Sequence, residues 1–153
     1  MKKVLYVLHQ KTSVAGDVGN KFRERGYLEE IVRPPLGDKL PTDLSKYSAI
    51  VIFGGPMSVN DDDQFIKDEI KWMKKVIQSK IPFLGICLGA QILAKYLGCD
   101  VVKNENDLAE IGFYEIKPVG EGDHIFRNQN IFYQFHTEGF EVPQGCHLLA
   151  RGD

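Results

Sequence analysis

Long apolar runs are missing from this chain of 153 residues. None approaches the ~20 residues that a membrane-spanning helix needs, so a membrane is not expected among its partners. The opening MKKVLYVLHQ has two lysines ahead of a short apolar run. That run is too short for the core of a secretion signal and lacks a small-residue cleavage site, so it reads as a first buried strand. Cysteine is scarce. Cys87, Cys99 and Cys146 are odd in number and far apart, which argues against a disulfide framework. Their spacing fits no metal site, and a reducing cytoplasm is the expected compartment. An excess of charge is missing too. A net charge of −2 gives no reason to expect nucleic acid or an anionic membrane as partner. Neither an internal repeat nor a low-complexity segment is present. What remains is an ordinary globular composition, 43% hydrophobic and 26% charged. The length suits one domain over residues 1–153, able to bury about 68–70% of its unfolded surface.

Along the chain, VLYVL (4–8) is a continuous apolar run, as expected of a strand covered on both faces. SVAGDVGNKFRERG carries a helix ending at Gly26, a glycine C-cap, and YLEEIVR follows as a second strand. PPLGDKLPTDLSKY reads as a surface connection. AIVIFGG (49–55) is the strongest strand signal, broken by two glycines. DDDQFIKDEIKWMKKVIQSK is the clearest helix. Its aspartates are expected in the first turn and its lysines in the last, with Phe65, Ile66, Ile70, Met73, Val76 and Ile77 on one face. IPFLGI and AQILAKYLG give another strand and helix. Beyond them VVKNE, IGFYEIKPV, IFYQFH and HLLAR read as short strands with turns such as GEGD between them. Alternating strands and helices predict an α/β fold of three layers, a mostly parallel sheet with helices on both faces, followed by a β-rich final third.

The junction GICLG carries the chemistry. A buried strand ends at Ile86, a helix begins near Leu88, and Cys87 sits on the turn between them. Gly85 and Gly89 remove side chains that would collide when strand and helix pack closely around that turn. This is the pattern of a nucleophile elbow with sulfur in place of oxygen. It puts Cys87 at the carboxyl edge of the sheet and at a helix N-terminus, whose partial positive charge stabilises anionic sulfur. The Leu88 N–H would form half of an oxyanion hole. The alternative, a small buried thiol, suits Cys99 and Cys146, which lack this setting. Gly54 and Gly55, ending a strand at the same edge, allow a backbone turn that aims a second N–H inward.

Together VIFGGPMSVND, IPFLGICLGAQILAKYLG, AEIGFYEI and FHTEGFEVPQGCHLLAR resemble the class I, triad-type glutamine amidotransferases, and within them the stand-alone or GMP-synthase-like members. The resemblance spans roughly residues 40–151 and is weaker at the N-terminus. It implies a flavodoxin-like fold and an enzyme that hydrolyses the side-chain amide of glutamine through a cysteine thioester, giving glutamate and ammonia. It makes Cys87 the nucleophile and Gly55 and Leu88 the oxyanion donors. Gln91 and the backbone near Thr137 would hold the α-amino and carboxylate end of the substrate.

The resemblance leaves the base open. FHTE places His136 and Glu138 as base and orienter. The run TEGFEVPQGCHLLAR instead resembles an earlier loop of the family whose histidine is not catalytic, and His136 lies 49 residues after Cys87, where that loop is expected. His136 is thus a catalytic base, a substrate-loop residue, a structural histidine or a surface one. In the second register the chain is C-terminally incomplete, apolar sheet surface is uncovered, and association or disorder is expected near the C-terminus. His9, His124 and His147 receive no catalytic role. Two alternatives to glutamine hydrolysis stand: a thiol hydrolase of other γ-glutamyl amides or peptides, and a non-catalytic amidotransferase-like module. The family implies a synthetase or acceptor-domain partner that takes up the ammonia. No metal and no organic cofactor is expected for the glutaminase step.

Overall fold

The computed structural model describes residues 2–104 and 108–152, in two compact units, 1–96 and 97–153. In the first unit, strands β1 (Lys3–Val7), β2 (Leu28–Val32), β3 (Ala49–Ile52) and β4 (Phe83–Gly85) form a sheet in the order β2-β1-β3-β4, every pair parallel. Helices follow three of the strands, α1 (Gly16–Glu24) after β1, α2 (Gln64–Ser79) after β3 and α3 (Leu88–Tyr96) after β4, while β2 is joined to β3 by a connection that opens with a short 3-10 turn, Pro34–Leu36. This is the expected flavodoxin-like α/β arrangement.

The central strands are buried on both faces, which is why they read as unbroken apolar runs. Val4, Leu5, Tyr6 and Val7 of β1 have no exposed surface, and Ile50, Val51 and Ile52 of β3 have almost none. Alternation divides them between two cores. Val4, Tyr6, Ala49 and Val51 meet Val18 and Phe22 of α1 on one face. The Ile50 and Ile52 face receives α3, whose Gly89 lies against the Ile52 backbone, and α2 packs beside α3. Each aliphatic side chain fully withdrawn from water in this way contributes about 1.5–3 kcal/mol.

The helix ends follow local rules with one correction. Beyond α1, Gly26 has φ +77, its N–H donates to Arg23 O, and the Tyr27 N–H donates to Phe22 O. This paired C-terminal closure needs a residue that tolerates left-handed backbone, hence glycine. In α2 the aspartates precede the helix instead of filling its first turn. Asp63 is the N-cap, and the last turn, residues 76–79, carries no lysine. The apolar face is also shifted. Ile66, Met73 and Val76 are buried as expected, Ile77 is exposed, and Glu69 and Trp72 lie inside.

In the second unit the strands are short and paired in antiparallel twos. They are β5 (Val101–Lys103) with β9 (Glu138–Phe140), β6 (Glu110–Glu115) with β8 (Ile131–His136), and β7 (Lys117–Pro118) with β10 (Ala150–Arg151). Of the strand read at VVKNE, residues 101–103 form it and residue 105 lies outside the described residues. The GEGD turn leads into a single helical turn, α4 (Gly122–Ile125). One face of the β6–β8 ribbon carries Ile111, Phe113, Tyr133 and Phe135, all exposed, with the Phe113 and Tyr133 rings 5.4 Å apart.

Candidate active site

The elbow is built as the glycines demand. Cys87 has φ +52, a left-handed conformation that a side chain adopts at a cost of about 1–2 kcal/mol. A β-carbon on Gly85 would lie 2.7 Å from Gly89 O, and one on Gly89 would lie 2.2 Å from Ile52 O. Neither position has room for a methyl group, so strand and helix approach more closely here than any other residue allows. Cys87 remains exposed at the head of α3. The Gly89 N–H donates to Ile86 O, and the Ala90 and Gln91 N–H groups donate to Cys87 O, at 3.0, 2.9 and 3.1 Å. Leu88, the first residue of the helix, comes before this ladder, where an N–H has no intrahelical acceptor.

The glycine turn after β3 borders the same cysteine. A β-carbon on Gly54 would stand 3.2 Å from Cys87 Cβ and 3.6 Å from its Sγ, and one on Gly55 would press on His9 Cβ at 2.8 Å. Gln91, one turn into α3, is buried rather than solvated. Cys87, Leu88, Gln91 and Gly55 all belong to the first unit.

His136, Thr137 and Glu138 belong to the second unit. His136 ends β8 directly opposite Glu110 of β6, and its Nε2 lies 2.8 Å from a Glu110 carboxylate oxygen. Its Nδ1 is buried and has no hydrogen-bond partner among the described residues. Glu110, His136, Tyr114 and Gln134 line a hollow of about 280 Å³. Thr137 is exposed in the bend between β8 and β9, and its carbonyl accepts the Asn104 N–H at 2.8 Å. Glu138 opens β9, in register with Lys103. Cys99 is half-buried and Cys146 exposed.

One pair escaped the sequence reading. His9 and Glu69 have no exposed side-chain surface, and His9 Nε2 lies 3.2 Å from both Glu69 carboxylate oxygens. His9 Nδ1 lies 3.2 Å from Gly54 O. The partners are 60 residues apart, so no local pattern joins them. The available signal was helical arithmetic: Glu69 stands three residues after Ile66 and four before Met73, on the stripe that faces the sheet.

The family model for class-I glutamine amidotransferases matches residues 7–152. One subunit of the glutamine-hydrolysing GMP synthase of Saccharolobus solfataricus is 31% identical over 111 residues, covering 71% of this chain and 56% of that protein. The glutamine-hydrolysing GMP synthase of Wolinella succinogenes is 37% identical over 141 residues, covering 87% of this chain and 25% of the relative. A crystal structure of a glutamine amidotransferase from Thermotoga maritima superposes with a TM-score of 0.87 at 30% identity, covering 97% of this chain and 66% of that one. The chain thus spans about half of the Saccharolobus relative and a quarter of the Wolinella one. No helix among the described residues is long and apolar enough to cross a membrane. With the model matched over nearly its whole length, the chain belongs to the class-I glutamine amidotransferase family.

Proposed function

We propose that the chain carries the glutamine-hydrolysing chemistry of a glutamine amidotransferase, with Cys87 as nucleophile. The Cys87 sulfur attacks the side-chain amide carbonyl of glutamine, a carbon–sulfur bond forms, and the carbonyl electrons move onto oxygen. The Leu88 and Gly55 N–H groups face that oxyanion. Its collapse breaks the carbon–nitrogen bond, and the leaving nitrogen takes a proton and departs as ammonia. Water then cleaves the γ-glutamyl thioester, giving glutamate and the free thiol. Gln91 and the Thr137 backbone hold the amino-acid end of the substrate. In this reading His136 takes up and returns the protons with Glu138 as its orienter, a role that requires its Nε2 contact with Glu110 to open. The ammonia passes to a synthetase partner in the cytoplasm. The observation that carries this reading is Cys87 itself, exposed in left-handed backbone at the head of α3, with the Gly54 backbone beside its sulfur.

The contact between His136 and Glu110 favours a second reading for the base alone, in which His136 is a structural residue of the β6–β8 ribbon. Glutamate release from glutamine, compared among wild type, Cys87→Ala and His136→Ala, tests both. Loss in both variants supports the triad. Activity retained in His136→Ala assigns that histidine to structure. A wild-type chain that releases no glutamate, and whose Cys87 escapes labelling by a glutamine-like electrophile, refutes the proposal.

A further inference from the structure

The buried His9–Glu69 pair lies behind the glycine turn, and none of the steps above uses it. Gly54 O can only accept, so His9 Nδ1 must donate to it, across 3.2 Å. On the far side of the ring Nε2 faces both oxygens of Glu69 at 3.2 Å. One proton serves this second contact whichever partner holds it. The Glu69 carboxylate therefore fixes the ring, and the ring fixes the carbonyl. His9 also fills the space beside Gly55, where an added β-carbon would meet its Cβ at 2.8 Å.

Gly54 C=O and Gly55 N–H are the two ends of one planar trans peptide and point in opposite directions. A Gly–Gly peptide has no side chain to prefer either orientation. Rotated half a turn, this unit would present its carbonyl oxygen where the Gly55 N–H is required, and so repel a developing oxyanion. We infer that His9, braced by Glu69, is the positioning residue that holds the Gly54–Gly55 peptide in its oxyanion-binding orientation. This rests on the proposed role of Gly55. It also explains why α2 carries a carboxylate at the centre of its buried face, where an apolar residue would pack without a desolvation cost.

Two variants separate positioning from folding. His9→Asn keeps a donor near the Nδ1 position and loses the contact with Glu69. His9→Gln keeps a polar group near the Nε2 position and loses the donor to Gly54. Crystal structures read the peptide directly and do not depend on activity. The expected result is a native Gly54–Gly55 peptide in His9→Asn and a rotated or disordered one in His9→Gln. Kinetically, His9→Gln should lose about 100-fold in kcat, the scale of one oxyanion donor, with KM for glutamine within about threefold. His9→Asn should recover most of that loss. Iodoacetamide alkylation of Cys87, which forms no oxyanion, should keep its wild-type rate in both. A native peptide in His9→Gln, or equal kcat losses in the two variants, would overturn the inference. If wild type proves inactive on glutamine, the proposed function falls, while the crystal structures still decide whether His9 holds the peptide.

Discussion

Replacing Gly89 with alanine sets two effects of opposite sign against each other. Inside a helix the exchange is ordinarily stabilising by about 1 kcal/mol, because alanine loses less backbone freedom on folding. Here the new methyl would stand 2.2 Å from Ile52 O, 2.8 Å from Ile52 C and 2.9 Å from Ile52 Cβ. A carbon–oxygen contact needs about 3.3 Å, so α3 and β3 must separate by about 1 Å. Both sides of the clash are main chain in regular elements, and neither has a rotamer to give. A gap of that size forfeits between a quarter and a half of the dispersion energy of the atoms that line it. Leu88, Ile92, Ile50 and Ile52, all fully buried, line this one. Overpacking costs about 1–3 kcal/mol in general, and rigid walls put this case near the top of the range. The net loss is then about 2 kcal/mol, or about 4–8 °C in Tm for a chain of this size. Urea unfolding followed by the fluorescence of Trp72, the only tryptophan and a resident of α2 in the same unit, reads the change where it occurs. A Gly89→Ala protein as stable as wild type, or more so, would refute the claim that close packing dictates glycine at the elbow.

Two pH dependences follow from the first unit. The Tyr47 hydroxyl, then Lys3 and Lys46, hold the Glu30 carboxyl down at about 2. A depressed carboxyl stabilises the fold above its ordinary value of 4.5, and that contribution disappears as pH falls from 4.5 toward 2. Tyr47→Phe removes the largest cause, so unfolding free energies measured from pH 7 to 2 should start about 1 kcal/mol lower and fall less steeply. Burial first, and the Glu29 carboxylate second, push the Tyr6 phenol up to about 12. A raised phenol contributes stability below pH 10 that is lost between 10 and 12, as the unfolded chain ionises and the folded one does not. Absorbance titration of wild type against Tyr6→Phe should show that one tyrosine ionises only at the top of this range.

The sheet and the elbow were legible in the sequence because their causes are local. Strands buried on both faces must be apolar without interruption, and β3 and residues 4–7 of β1 are. A turn with no room for two methyl groups must carry glycine at both, and 85 and 89 do. The Gly26 C-cap was legible for the same reason. The start of α2 was misread because three consecutive aspartates look alike in sequence, and only backbone geometry selects Asp63 as the N-cap. Glu69 was invisible as a buried residue because a carboxylate is read as solvated unless its partner is known, and that partner is His9, just past the end of the first strand. The contact from His136 to Glu110 was missed similarly. FHTE offers a glutamate two residues away, whereas the register of β6 against β8 offers one directly opposite.

The γ-glutamyl thioester on Cys87 is the most direct test of the proposed chemistry. Wild-type protein mixed with glutamine is quenched in acid at a series of times, digested, and read by mass spectrometry at the peptide that contains residue 87. The expected result is an adduct with the mass of one glutamyl group on Cys87, which appears before glutamate reaches its steady rate and is absent in Cys87→Ala. Glutamate production at the wild-type rate in Cys87→Ala, or turnover without an adduct on Cys87 at any quench time, would contradict it.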